Sequence, residues 1–148
     1  MKYRHIFLFV LFQFINYNIF GQLKTDDIIG TWLTGGNQPA KIQIFKSDNT
    51  YFGKIVWLQN PLENNKPIAD VNNPDKTKRN QGIIGLMILK GFRFDGDDEW
   101  KGGKIYDPEN GKTYNCILSL IEKNTLNVRG YVGISMFGRN EEWTRTTP

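Results

Sequence analysis

The sequence predicts an all-β fold, namely a single antiparallel up-and-down β-barrel of about eight strands. Apolar residues alternate with period two, and polar turn residues recur about every ten residues. The chain has one cysteine, so packing rather than an internal disulfide must stabilise the domain. A closed barrel is favoured over a sandwich because closure removes exposed strand edges.

The alternation is clearest in two segments. Ile42 and Ile44 alternate with mostly polar neighbours, and Tyr114–Leu120 repeats the pattern. Only Lys24–Ile29 suits a short helical turn. The other strands are predicted at Ile28–Leu33, Tyr51–Leu58, Ile83–Phe94, Glu99–Tyr106, Thr125–Val132 and Met136–Thr146.

Two connections between these strands have distinct chemistry. Asp107–Gly111 offers a proline with fixed φ followed by Asn-Gly, which adopts positive φ, and this predicts a hairpin. Gln59–Gln81 is much longer and contains three prolines, several asparagines and the basic run Lys76–Arg79. Loops beyond about 12–15 residues are usually functional or disordered. Two interpretations of Gln59–Gln81 stay open, an ordered lid or rim and a merely solvated loop.

The N-terminus has the pattern of a secretory leader. Met1–His5 is basic, Ile6–Ile15 is apolar and aromatic, and Asn16–Gly21 is more polar and ends in a small residue. We predict that residues 1–21 are a signal peptide and that residues 22–148 form the exported barrel, periplasmic or secreted. The apolar run is about half of the roughly 20 residues that span a bilayer, and no later stretch approaches it, so the mature chain is predicted to have no transmembrane span.

Several strings together carry a resemblance to a known family. They are Gly30–Trp32, Gly53–Leu58, Asn73–Asp75, Gly85-Leu86, Gly102–Tyr114, Arg129–Arg139 and Trp143. Over nearly all of Ile28–Arg145 the chain resembles the exported bacterial family catalogued as domain of unknown function 2147. The resemblance implies a lipocalin-like barrel. Because the activity and ligand of that family are not established, it implies no catalytic residue.

The Gly30-x-Trp32 string also resembles the opening motif of lipocalins, in which the tryptophan closes one end of the barrel and a C-terminal arginine stacks on it. We therefore predict that Trp32 closes the barrel, with Arg139, or alternatively Arg145, as its partner. An arginine over an indole contributes about 0.5–2 kcal/mol. This structural role is favoured over direct ligand contact by Trp32.

Aromatic and charged side chains supply the candidate binding site. In the last predicted strand, Phe137, Arg139, Glu141, Trp143 and Arg145 share one face because side chains alternate with period two. An inward Arg139 and Glu141 either neutralise each other for the fold or orient the polar head of a ligand. The candidate ligand-binding residues are Trp57, Tyr106, Tyr114, Arg139, Glu141 and Trp143.

The sequence favours binding over catalysis. The only histidine, His5, lies in the predicted leader, and Cys116 is on the apolar side of its strand, where thiols are usually inert. The acidic clusters Asp70–Asp75 and Asp95–Glu99 do not match a calcium-binding loop. We predict no catalytic residue, no metal site and no cofactor.

Charge argues against nucleic acid as a partner. Loss of Lys2 and Arg4 with the leader lowers the formal net charge from +4 to about +2, and acids separate the remaining cations. No nucleic-acid binding is predicted.

Two functions of different class remain. The first is a barrel that holds a small apolar or amphipathic ligand, with Gln59–Gln81 at its rim. The alternative is a structural or envelope-interaction protein with a filled barrel, whose Lys76, Lys78 and Arg79 meet an anionic envelope partner. A cavity of roughly 300–1,000 Å³ favours the first, and a filled core with an exposed apolar patch favours the second.

Overall fold

Eight strands close into one antiparallel barrel in which each strand pairs with its neighbours in chain order. The computed structural model describes residues 25–148. Its strands are β1 (Gly30–Leu33), β2 (Ala40–Ser47), β3 (Thr50–Leu58), β4 (Leu62–Glu63), β5 (Lys66–Pro67), β6 (Met87–Gly96), β7 (Glu99–Asp107), β8 (Lys112–Glu122), β9 (Thr125–Tyr131) and β10 (Arg139–Thr146). The small β4–β5 hairpin lies outside the barrel, and β1 closes the barrel by pairing with both β2 and β10.

The predicted all-β, up-and-down barrel is therefore confirmed. The predicted signal peptide, residues 1–21, lies outside the described residues, and its cleavage stays a prediction. Two strands begin later than the sequence predicts. β6 begins at Met87 because Gly85 adopts φ +92° and the Leu86 N–H bonds the Ile83 carbonyl at 3.0 Å, which makes a turn there. β10 begins at Arg139 because Ser135–Phe137 forms a 3-10 turn.

The core lies inside the barrel and consists of the inward residues of the alternating strands. Ile42 and Ile44 in β2 and Cys116, Leu118 and Leu120 in β8 are all buried, as the period-two pattern predicts. The largest buried side chains are Trp32, Trp100, Trp143, Tyr51 and Phe92. The 3-10 turns of residues 25–148, Lys76–Lys78 and Ser135–Phe137, are too short to cross a membrane.

Two inward glycines make room for side chains that cross the lumen. A Cβ at Gly103 in β7 would lie 2.4 Å from the Phe92 ring, and one at Gly53 in β3 would lie 2.8 Å from Leu89 Cδ1. Phe92 and Leu89 are fully buried. Glycine inside a strand often marks such a close approach. Side chains therefore fill the middle of the barrel.

The segment before β1 covers the end of the barrel at Trp32, which we call the closed end. The Thr25 carbonyl accepts hydrogen bonds from Trp100 Nε1 (3.2 Å) and Tyr51 Oη (2.7 Å). The Ile28 carbonyl accepts one from Trp32 Nε1 at 2.9 Å. Because buried polar groups are costly without a partner, these bonds fix the segment over the core.

Arg145 stacks on Trp32. Its Cζ lies 4.2 Å from the centroid of the Trp32 ring. The guanidinium donates to the Ile29 and Lys123 carbonyls, each at 2.9 Å, and also to the Asp27 carbonyl. These bonds join the N-terminal segment, β10 and the turn between β8 and β9.

The prediction of Arg139 as the closing arginine is therefore wrong, and the alternative, Arg145, holds the position. Arg139 starts β10 and pairs with Gly130, whereas Arg145 pairs with Trp32. Arg139 and Arg145 are six residues apart in the same strand. With a rise of about 3.3 Å per residue, they lie about 20 Å apart, at opposite ends of the barrel.

The long connection between β3 and β6 is ordered and folds against the hairpin between β7 and β8. Asn72 Nδ2 donates to the Glu109 carbonyl at 2.8 Å. At Gly111, which has φ +70°, a Cβ would lie 2.0 Å from the Asn72 carbonyl oxygen, so only glycine permits this approach. Of the two interpretations left open for this segment, the merely solvated loop does not describe it.

Candidate functional site at the open end of the barrel

The end opposite Trp32 carries the longer connections, and we call it the open end. It is formed by residues 34–39, 59–86, 108–111 and 132–138. At the closed end, each hairpin has only two residues between its strands. A ligand that enters the lumen must therefore enter at the open end.

β10 carries side chains from the open end into the lumen. Trp143 pairs with Leu126 and Glu141 pairs with Val128, and both partners are buried in the core. Paired residues on neighbouring strands point to the same face of a sheet. Glu141 and, two residues earlier, Arg139 therefore lie on the same inward face as Trp143, but both are exposed at the rim of the open end.

The Trp143 indole N–H is a buried donor without a partner. The residue is 2% exposed, and no acceptor within residues 25–148 forms a hydrogen bond with its Nε1. Trp32 and Trp100, by contrast, both donate to backbone carbonyls. An unsatisfied buried donor costs about 1–3 kcal/mol, and a natural protein rarely retains one without a reason.

Glu141 is the acidic group next to this donor. Partial burial desolvates the carboxyl and raises its pKa above the ordinary value, the largest of several effects. The Trp143 N–H, the Gly35 backbone and the charge of Arg139 act in the opposite direction. The Trp143 N–H thus lies close enough to the Glu141 carboxylate to favour its charged form, although the contact falls short of full hydrogen-bond geometry.

Tyr114 completes the inward group at the open end. A Cβ at Gly130 would lie 3.8 Å from Tyr114 Cβ and 3.7 Å from Ile105 Cγ2, so these side chains meet across a glycine gap. The Tyr114 hydroxyl accepts a hydrogen bond from Asn110 Nδ2 at 3.1 Å, which holds the ring at the rim. Four of the predicted ligand-binding residues, Tyr114, Arg139, Glu141 and Trp143, thus face the same end of the lumen.

Trp57 lies outside the barrel, contrary to its predicted place in the site. Strict alternation from Tyr51 and Ile55, both buried, would point Trp57 inward. Between the pairs Lys41–Trp57 and Ile42–Ile55, however, Val56 is an unpaired bulge residue. A bulge reverses the faces of the residues beyond it. Trp57 is 41% exposed.

Tyr106 also faces outward, and again because of a bulge. Trp100 pairs with Leu118 but Gly103 pairs with Cys116, so β7 has one extra residue there. The inward series therefore continues through Ile105 instead of Tyr106.

The outward Tyr106 hydroxyl donates to Asp70 Oδ1 at 2.7 Å, and Asn73 Nδ2 donates to Oδ2 at 2.6 Å. Asp70 is 1% exposed. Desolvation, followed by the bond to Asp70, raises the pKa of Tyr106 to about 12. The hydrogen bond between Tyr106 and Asp70 holds the long loop against β7. Asp70, which the sequence placed in an acidic cluster, thus serves the fold.

Phe137 does not share the inward face either. It lies in the 3-10 turn before β10 and is 78% exposed. Arg129 holds this connection by donating from Nε to the Ser135 carbonyl (2.8 Å) and from Nη2 to the Met136 carbonyl (3.0 Å). The large apolar side chains exposed in this rim loop, residues 132–138, are Val132, Ile134, Met136 and Phe137. The sequence predicted that a strand begins at Met136, and only the tertiary structure shows that Met136 and Phe137 lie exposed in a turn.

Within residues 25–148, the groups that would support nucleophilic or metal chemistry are not assembled. Burial raises the pKa of the Cys116 thiol to about 12, and the residue is 1% exposed. Such a thiol is a poor nucleophile. In the described part of the chain, no three histidine, cysteine or acidic side chains converge to hold a metal ion.

The closed eight-stranded barrel, with a tryptophan and an arginine at one end and an inward polar group at the other, is a lipocalin-like fold. The solved structure of HP1028 from Helicobacter pylori, titled as a member of the lipocalin family, is similar, with a TM-score of 0.72, 21% identity, and coverage of 80% of this chain and 82% of that chain. No curated protein matches the chain. The family model for "Uncharacterized protein conserved in bacteria (DUF2147)" matches residues 30–145, and the chain belongs to that family.

Proposed function

We propose that this protein is an exported binding protein that holds a small, partly apolar molecule at the open end of the barrel and does not transform it. The buried N–H of Trp143, which lies close to Glu141 but forms no hydrogen bond of full geometry within residues 25–148, carries the proposal. A ligand oxygen that accepts this hydrogen bond removes part of a penalty of about 1–3 kcal/mol. The N-terminal leader pattern supports export to the periplasm or beyond.

The shape of the lumen limits where the molecule lies. Phe92 and Leu89 fill the space beside Gly103 and Gly53 in the middle of the barrel. A ligand therefore sits above Trp143, among Tyr114, Glu141 and Arg139, and does not extend to the closed end.

The neighbouring side chains define the chemistry of this molecule. Trp143 N–H and Arg139 offer hydrogen-bond donors, and Glu141 with its raised pKa accepts or, when protonated, donates. The exposed Met136 and Phe137 give the rim loop an apolar surface next to these polar groups. The expected ligand is small and amphipathic, with an oxygen acceptor at its polar end.

Native mass spectrometry of the protein purified from its own host tests this proposal. We expect a bound small-molecule mass on the wild type, and its loss from Trp143→Phe, which removes the N–H and part of the ring. Trp100→Phe is the matched control, because that indole donates to Thr25 at the closed end. Circular dichroism must show the same β spectrum for all three proteins. A ligand-free wild type, or equal retention by both variants, contradicts the proposal.

The filled middle of the barrel and the exposed apolar rim loop are the two observations that favour a second candidate function, binding to an envelope partner. Monomeric proteins rarely present contiguous large apolar side chains on a loop without a binding role. Met136→Ser and Phe137→Ser are then expected to abolish crosslinking of the protein to one envelope component in cells. Unchanged crosslinking of both variants contradicts this candidate.

A further inference from the structure

Two lysines on the outer wall of the barrel face each other without a counter-charge. Lys90 in β6 pairs directly with Lys104 in β7. The adjacent pair, Leu89 with Ile105, faces the core, so both lysines point outward. Like charges directly opposite each other on antiparallel strands are destabilising.

A second pair of cations on the same strands does have neutralising carboxylates. Arg93 also pairs with Lys101, but Lys101 Nζ lies 2.9 Å from an Asp95 oxygen and 2.6 Å from a Glu99 oxygen. Among the ion pairs of residues 25–148, none includes Lys90 or Lys104. The protein neutralises one cationic pair and leaves the other open.

The open pair lines a groove of about 520 Å³ on the outside of the barrel. Phe52, Leu86 and Met87 line it with apolar side chains, which we call its floor, and Lys78 of the long loop also lines it. This volume lies in the range of small-molecule sites, about 300–1,000 Å³. Because the lysines face outward, the groove is separate from the lumen.

The acidic groups of the adjacent loop do not neutralise Lys90 and Lys104. Asp75 binds Lys78 at 3.3 Å, and the buried Asp70 is occupied by Tyr106 and Asn73. The groove therefore combines an apolar floor with an excess of positive charge.

We propose that this groove binds a free single-chain amphiphile with an anionic headgroup, a carboxylate held between Lys90 and Lys104 with its alkyl chain on Phe52, Leu86 and Met87. The headgroup supplies the missing counter-charge, and the chain covers the apolar floor. We favour a free molecule over a lipid in a bilayer, because the groove is lined both by the long loop (Asn73, Pro74 and Lys78) and by the strands, so it lies between two elements and not on a flat surface. This site does not depend on the proposed function at the open end.

Isothermal titration of the full mature protein with dodecanoate tests the proposal. Lys90→Glu should raise the dissociation constant at least about tenfold, because it reverses one of the two charges at the headgroup. The new ion pair with Lys104 keeps this variant folded. Lys123→Glu is the matched control, since it makes the same charge change in a turn at the closed end. We expect it to change the constant less than about twofold.

Other probes separate the headgroup from the chain and from a membrane. Dodecanol and acetate should each bind far more weakly than dodecanoate, and phosphatidylglycerol vesicles should not retain the protein. Equal dodecanoate binding by wild type and Lys90→Glu overturns the proposal, as does preferential binding to vesicles. Loss of binding in Trp143→Phe with retention in Lys90→Glu places the amphiphile at the open end and also overturns it.

Discussion

Arg145→Met is the sharpest test of how the closed end is held. The substitution keeps an apolar stem but removes the guanidinium that lies 4.2 Å over Trp32 and bonds three backbone carbonyls. The stacking is worth about 0.5–2 kcal/mol. Two of the bonds are exposed, so water replaces them at small cost, and the partly buried bond to Asp27 is worth about 1 kcal/mol or more. We expect the free energy of unfolding to fall by about 1.5–3 kcal/mol.

Urea denaturation followed by tryptophan fluorescence measures this loss. Arg139→Met is the matched control, because it removes the same group from the open end of the same strand. We expect it to change the free energy of unfolding by less than about 0.5 kcal/mol. Equal losses for the two variants, or no loss for Arg145→Met, would refute the assignment of Arg145 to the closed end.

Three further predictions concern the core, the loop and the open end. Gly103→Ala should lower the free energy of unfolding by about 1–3 kcal/mol in thermal denaturation, because its Cβ would meet the Phe92 ring; an unchanged melting temperature contradicts this. Tyr106→Phe should cost about 1–3 kcal/mol and speed amide exchange in the loop around Asp70, and exchange at the wild-type rate argues against that role. The raised pKa of Glu141 means that the folded protein binds this proton more tightly than the unfolded chain does, so stability falls as pH rises above the ordinary value of 4.5. Glu141→Gln should therefore be more stable relative to wild type at pH 7 than at pH 4, and a pH-independent difference measured by urea denaturation would exclude this coupling.

The barrel itself was predictable because its signals are local. Alternation identified the inward residues of β2 and β8, which are Ile42, Ile44, Cys116, Leu118 and Leu120. The Asp107–Gly111 string identified the hairpin between β7 and β8. Trp143, Glu141 and Tyr114 lie on the inward face that alternation predicts, because no bulge lies between them and their buried neighbours on the same strands, and their binding of a ligand stays a prediction.

The wrong predictions concern side chains whose orientation depends on pairing with another strand. Trp57 and Tyr106 both lie beyond bulges, and one extra residue moves every later side chain to the other face. Phe137 was expected in a strand, but Arg129 of β9 holds its backbone in a turn. Neither the bulges nor the Arg129 hydrogen bonds can be predicted from the local sequence.

The sequence by itself determined the fold class, the family and the aromatic and charged residues from which a site is made, because period and turn chemistry act over a few residues. The tertiary structure decided which arginine closes the barrel, which aromatic residues face the lumen, and that Lys90 lies opposite Lys104. These depend on strand register, which is set by contacts between residues distant in the chain.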